Sequence, residues 1–157
     1  MITLILVRHA KAAPADHLHS DDARPLTVEG RQQAVRTGEV LRTLISGNVQ
    51  IACSPKLRAR ETAEVLGIAL GSAALPQPRE CLSGGRDPDE ILSALETRPT
   101  NALILVGHEP DMGRLLARLL DPVWRASIPF PSAGYAVVQI DALPPQREGR
   151  LQMFGSP

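Results

Sequence analysis

Aromatic side chains are scarce in this chain: they make up 3% of 157 residues, with one Trp, one Tyr and two Phe. So few rings leave almost no stacking platform for single-stranded nucleic acid. A surplus of either charge is also missing, since Lys+Arg and Asp+Glu each number 17 and the formal net charge is zero. The chain as a whole therefore has no electrostatic reason to bind nucleic acid or an anionic membrane, and any anion binding must be local. Cysteine is limited to Cys53 and Cys81. Two cysteines make no disulfide framework; they read as reduced, core-packed thiols of a cytoplasmic protein. Long apolar runs are absent. Met1 to Val7 is too short for a signal peptide and has no basic leader, although Ala10-Lys11-Ala12 faintly resembles a cleavage site. Nothing approaches the length of a membrane span.

What the chain does have is a 43% hydrophobic fraction. That is enough for one domain, residues 1–157, burying roughly 68–70% of its unfolded surface. It also has one tetrapeptide twice. Leu4-Ile5-Leu6-Val7 leads into Arg8-His9, and Leu103-Ile104-Leu105-Val106 leads into Gly107-His108. Short, fully apolar runs of this kind read as buried central strands. A polar residue just past the carboxyl end of such a strand sits where open α/β sheets bind ligands. Two histidines about 100 residues apart are thus expected in one crevice, with Arg8 beside the first.

The remaining pattern alternates strands with helices. After the strand Ile2–Val7 comes a polar loop, then a helix from the cap Thr27 to about Ile45, with Ala34, Gly38, Leu41 and Ile45 on its inner face. Val49–Cys53 is a second strand. Ser54 is expected to cap the next helix, with Pro55 at its first position and Gly71 at its end. Ala74–Leu75 and Arg79–Leu82 are expected to flank a weak strand or extended stretch. Asp87 opens a helix that turns Ile91, Leu92 and Leu95 inward. Ala102–Val106 is the third long strand. Pro110 and Asp111 open a helix with a Met112, Leu115, Leu116, Leu119 and Leu120 stripe. Tyr135–Ile140 and an edge strand at Leu151–Phe154 complete the chain. This order predicts a three-layer α/β/α sandwich around a mostly parallel sheet.

The chemistry gathers at the strand exits. Arg58 falls on the first turn of a helix leaving the second strand, so that helix's free N–H groups are expected to face the same crevice as Arg8, His9 and His108. Two arginines, two histidines and a helix N-terminus fit a phosphoryl group. A histidine nucleophile needs one neutral ring nitrogen, with the other donating its proton to a fixed acceptor. Elsewhere the residues read plainly. His17-Leu18-His19 has a spacing that could hold a metal but lacks a third ligand, so it reads as a solvated loop. Residue 112 is Met, so His108-Glu109 is not a zinc-protease motif. Arg60, Arg114, Arg118 and Arg125 read as surface or salt-bridging residues, and no metal site or cofactor is expected.

Four segments carry a resemblance. Leu6-Val7-Arg8-His9-Ala10, then the run from Arg24-Pro25-Leu26-Thr27 to Gly30, then Ser54-Pro55-Lys56-Leu57-Arg58-Ala59, and last Val106-Gly107-His108-Glu109-Pro110 resemble, in order, the motifs of the histidine phosphatase (phosphoglycerate mutase-like) superfamily. The short length, the Arg-Pro-Leu-Thr run and the lack of a large cap insertion are similar to its SixA branch, the phosphohistidine phosphatases. The resemblance implies that His9 is a nucleophile that becomes phosphohistidine. It implies that Arg8, Arg58 and His108 hold the phosphoryl oxygens, that Arg24 lines the mouth, and that Ser132 to Gly134 borders the pocket. It also raises the question of an acidic proton donor. Glu80 is the candidate, whereas Asp87, Asp89 and Glu90 are explained as helix-capping acids. Imidazole leaving from phosphohistidine is much less basic than an alkoxide, so an N–P bond has less need of general acid help.

The expected function is therefore a cytoplasmic, metal-independent phosphatase acting on phosphohistidine of a protein such as a histidine-containing phosphotransfer domain. It needs no cofactor and takes phosphate-like anions in its pocket. Two alternatives stay open. One is a small-molecule phosphomonoesterase of the same superfamily. The other, of a different class, is a phosphoprotein-binding module with vestigial activity, against which the intact set of Arg8, His9, Arg58 and His108 argues.

Overall fold

The two Leu-Ile-Leu-Val segments lie side by side, in register. In the computed structural model, which describes the chain except for His19, Ala74, residues 96–100 and Trp124, strand β1 (Ile2–Arg8) pairs in parallel with the strand Ala102–Gly107. Leu4 stands opposite Leu103, Ile5 opposite Ile104, Leu6 opposite Leu105 and Val7 opposite Val106. All eight side chains are buried. A full six-stranded sheet forms around this pair. Numbered along the chain, its other members are β2 (Val49–Cys53), β3 (Gln77–Pro78), β5 (Tyr135–Ile140) and β6 (Arg150–Gly155), with Ala102–Gly107 as β4. The order is β3-β2-β4-β1-β5-β6. The first four strands run parallel, and β5 joins antiparallel to both β1 and β6.

Because side chains alternate across a sheet, the repeat feeds two cores at once. Leu4, Leu6, Leu103 and Leu105 face Ile91, Leu92, Met112, Leu115, Leu116 and Leu119, which come from α3 (Pro88–Ala94) and α4 (Asp111–Leu120), together with Leu95 just past α3. Ile5, Val7, Ile104 and Val106 face Leu41 of α1 (Val28–Leu44) and Ala59, Ala63 and Leu66 of α2 (Leu57–Leu70). Helices thus cover both faces, and the architecture is the three-layer α/β/α arrangement expected. The chain leaves β1 for α1 on one face and leaves β4 for α4 on the other. Adjacent strands whose connections diverge in this way open a crevice at their carboxyl ends.

Several local signals act as the sequence predicts. Thr27 caps α1 by accepting from the Gly30 N–H at 3.0 Å, and Asp87 caps α3 by accepting from Asp89 N–H at 2.9 Å. Gly71 ends α2 in the left-handed region, at φ 65°. One expectation needs correction. Ser54 does not cap α2; the helix begins at Leu57 with Lys56 at the cap position, because the Ser54 hydroxyl is held by other partners. The weak strand expected between Leu75 and Arg79 is Gln77–Pro78, and Glu80–Leu82 just beyond it closes into a short 3-10 turn. Of Ala74–Leu75, Ala74 lies outside the described residues. Both cysteines are free thiols; Cys53 is buried and its pKa is pushed up to about 11 by that burial. No helix among the described residues is long and apolar enough to cross a membrane.

Candidate active site

Strand register brings the histidines together. Arg8 is opposite Gly107 in the β1–β4 pair, and the N–H of His9 donates to the Gly107 carbonyl at 2.9 Å. His9 and His108 are therefore neighbours, with ring centroids 5.1 Å apart. With Arg8, Lys56, Arg58, Ser83, Gly84, Gly85 and Glu109 they line a crevice of about 300 Å³ at the carboxyl edge of the sheet. Gly84 and Gly85 make its rim with φ of 109° and 74°, a backbone that side chains rarely tolerate.

The tautomer of His9 follows from its partner. Nδ1 lies 2.7 Å from the carbonyl oxygen of Ala10. A carbonyl only accepts, so Nδ1 carries the proton and Nε2 keeps its lone pair. That lone pair accepts from Nε of Arg58 at 3.3 Å. Burial chiefly, then the positive charges of Arg58, Arg8 and Arg24, hold the His9 pKa down to about 4 against the raising effect of the Ala10 hydrogen bond. His108 is held down to about 3, first by burial and then by His9, Arg58 and Lys56. Its Nε2 lies 2.7 Å from Oγ of Ser54, and the Ser54 hydroxyl oxygen also accepts from the Lys56 N–H at 3.2 Å. Values this low leave both rings neutral near pH 7. A bound phosphoryl dianion would favour their charged forms.

The two arginines are held from behind. Arg8 donates from Nη1 to the Phe130 carbonyl at 2.9 Å, while its Nε is buried with no partner, a donor that an anion's oxygen would satisfy. Arg58 is buried, with Nη1 donating to the Asp21 carbonyl at 2.8 Å and Nη2 to the Asp21 carboxylate at 3.2 Å. Thr62 ties the two walls together. Its hydroxyl accepts from the Ala10 N–H at 3.0 Å and donates to the Arg58 carbonyl at 2.7 Å.

The other expected site residues fall further out. Arg24 does not line the crevice; it donates to the Ala13 carbonyl and to Asp21, and acts on the mouth through that carboxylate and through its field at His9. Ser132 does not line the crevice either. Its neighbours do the bordering: Gly134 accepts from the Arg8 N–H and the Ala133 N–H donates to the His9 carbonyl. Glu80 is exposed on an adjoining pocket that it shares with Asp22, Pro55, Lys56 and Ser83. His17 is exposed and His19 lies outside the described residues. Among the described residues no group of three or more His, Cys, Asp or Glu is placed to hold a metal ion.

Four residues of the site were not singled out by sequence reasoning. Ser54, before Pro55, carries the pattern of a helix cap. Lys56 sits in the crevice two residues before Arg58, a spacing that could have flagged it. Asp21 lies in a loop with no periodicity to place it, yet it meets Arg24, Lys56 and Arg58; the Arg24 hydrogen bond chiefly, then the charges of Arg58 and Lys56, lower its pKa to about 2. Glu109 follows His108 within the last of the four resembling segments, where no role falls to it. The residue borders the crevice while its carboxyl is turned inward to the start of α4: Oε1 is buried without a partner, burial pushes the pKa up, and backbone hydrogen bonds from Phe130 and Gly113 oppose that.

Comparison with known proteins agrees with this geometry. Residues 4–83 match the family model of the histidine phosphatase superfamily (branch 1). An uncharacterized protein of Picosynechococcus is 34% identical over 140 residues, which cover 84% of this chain and 76% of the relative. Among solved structures, the fold is similar to the protein histidine phosphatase SixA complexed with tungstate, at a TM-score of 0.83 and 24% identity over 99% of this chain and 97% of that one. It is also similar to a Nakamurella multipartita chain that carries the SixA phosphohistidine phosphatase name, at a TM-score of 0.82 and 29% identity over 99% and 96%. With the in-register strand pair and the cationic crevice at its edge, these matches establish that the chain belongs to the histidine phosphatase superfamily.

Proposed function

We propose that the protein hydrolyses phosphohistidine on a protein substrate through a covalent intermediate on His9. The observation that carries this reading is the His9 ring itself, with Nδ1–H fixed on the Ala10 carbonyl and the Nε2 lone pair turned to Arg58 in the crevice. Nε2 attacks phosphorus in line, the N–P bond of the substrate breaks, and its imidazole leaves with the bonding pair and takes a proton from solvent water, which the water that later hydrolyses phospho-His9 returns. Arg8, Arg58 and His108 hold the three equatorial oxygens, where fixed donors are worth most. Water then attacks the phospho-His9 group, inorganic phosphate leaves, and Nε2 recovers its lone pair. No metal or cofactor is assigned a role, because the side chains present supply the charge.

The substrate class follows from leaving-group chemistry and from access. A phosphohistidine projects only modestly from a folded surface, and this crevice is open to solvent, rimmed by two glycines and a serine. Glu80 stands on the neighbouring pocket, away from the crevice lining, which suits a leaving group that needs little general acid help. One observation favours the alternative, a small-molecule phosphomonoesterase: the crevice-lining Glu109, whose carboxyl burial keeps more basic than usual. Substrate preference separates the two. For a phosphohistidine protein, kcat/KM should exceed that for simple alkyl phosphates by about 10²-fold or more, the scale of general acid assistance. Equal turnover of a sugar phosphate, abolished selectively by Glu109→Gln or Glu80→Gln, would favour the small-molecule reading.

A further inference from the structure

A second, larger concavity adjoins the crevice. Its volume is about 430 Å³, and Gly85 belongs to the lining of both. On one wall Arg114 and Arg118 stand one turn apart on α4, and Arg125 follows the helix; on the other are Arg86, Asp87, Pro88 and Asp89. Four guanidinium groups thus face two carboxylates, in a chain whose formal net charge is zero. One carboxylate, Asp89, is taken by Arg118, with Nε to Oδ1 at 2.9 Å, and Asp87 accepts from the Asp89 N–H as a helix cap. Arg86, Arg114 and Arg125 are exposed and form no ion pair with any described residue.

We propose that this groove is a docking surface for an acidic polypeptide segment, the flank of the phosphoprotein whose phosphoryl group enters the crevice. Its role as a substrate dock rests on the phosphohistidine reading above; its affinity for acidic peptide does not. The shape decides against one small anion. The volume corresponds to on the order of ten water volumes at roughly 30 Å³ each. The unpaired arginines are spread over its rim and are not converged and buried, as a tight small-ligand site requires. Exposed charge pairs are individually weak. Binding here therefore comes from several contacts along an extended segment, together with steering by the local field. Gly85 is where the two concavities meet, so a bound segment would run directly past the mouth that holds His9.

The test uses a labelled octaglutamate peptide and the full chain at low ionic strength, read by fluorescence anisotropy. Wild type should bind it, and binding should weaken as salt rises. The charge reversal Arg114→Glu with Arg125→Glu should weaken binding by about tenfold or more, since each site turns a weak attraction into a repulsion. The milder pair Arg114→Ala with Arg125→Ala should give a smaller loss, and both variants should hydrolyse phosphoramidate like wild type. kcat/KM for a phosphohistidine protein with an acidic flank should fall with the peptide affinity. No binding of octaglutamate by wild type, or equal binding by the reversed variant, would overturn the proposal. So would inorganic tripolyphosphate binding at these arginines while octaglutamate does not, which would make the groove a small-polyanion site. Arginine-dependent peptide binding without turnover of any phosphohistidine protein would leave the dock standing and refute the substrate reading instead.

Discussion

Lowering the pH from about 7.5 to about 5 should destabilise this protein through two residues, and the size of the effect follows from their burial. His9 and His108 have pKa values near 4 and 3 in the folded chain, against 6.5 for an ordinary histidine. Their folded values are depressed, so protons bind the unfolded chain first. The stability they allow is full above about pH 6.5 and is lost as pH falls, until the folded values are reached. At pH 5 an unfolded histidine is about 1.5 pH units below its midpoint, and its protonation favours unfolding by about 2 kcal/mol, or about 4 kcal/mol for the pair. This figure depends little on the folded values, provided both lie well below 5. The assay is urea denaturation in phosphate-free buffer across that range, comparing wild type with the double variant His9→Gln and His108→Asn. Glu109 works in the opposite sense, since its raised folded pKa makes stability grow as pH falls, but it is common to both proteins and cancels in the difference. The wild-type curve should fall by about 4 kcal/mol more than the variant's. Parallel curves would show that the two rings are not kept neutral by the site, and the tautomer assignment of His9 would lose its support.

Two further outcomes follow from the same geometry. Arg58 points Nε at His9 while Nη1 and Nη2 meet Asp21, and a lysine cannot serve both directions with one point charge; Arg58→Lys should lower kcat by about 10²-fold or more, and a variant within a few-fold of wild type would put Arg58 outside the reacting group's contacts. Exhaustive EDTA treatment should leave activity intact, because Arg8, Arg58 and His108 supply the charge a metal would bring; a loss restored specifically by a divalent ion would contradict this.

Much of this arrangement is legible from local sequence. The repeated Leu-Ile-Leu-Val segments announce two central strands, because a run buried on both faces of a parallel sheet must be apolar throughout. The Thr27 and Asp87 caps and the α4 stripe are signals confined to a turn or two of helix. Those strands also carry Arg8, His9 and His108 to one edge, so the core of the candidate site is readable with them. What is not readable depends on partners distant in the chain. Ser54 looks like a helix cap because Ser-Pro usually is one; the partner that ties its hydroxyl into the site is His108, 54 residues later. Asp21 sits in an irregular loop and meets Arg58 across 37 residues. The groove arginines look like scattered surface charge until α3 and α4 pack side by side, facing Arg86 toward Arg114 and Arg125.

If the phosphoryl group passes through His9, it can be trapped there. Wild-type protein mixed briefly with a phosphohistidine protein or phosphoramidate should be quenched in alkali, since a phosphorus–nitrogen bond on imidazole is acid-labile, then cleaved and mapped. A transient phosphoryl group should be found on Nε2 of His9, formed and lost at rates that support the overall turnover, with neither phosphoenzyme nor turnover in His9→Ala. A phosphoryl group on another residue, or substantial turnover by His9→Ala, would contradict passage through His9.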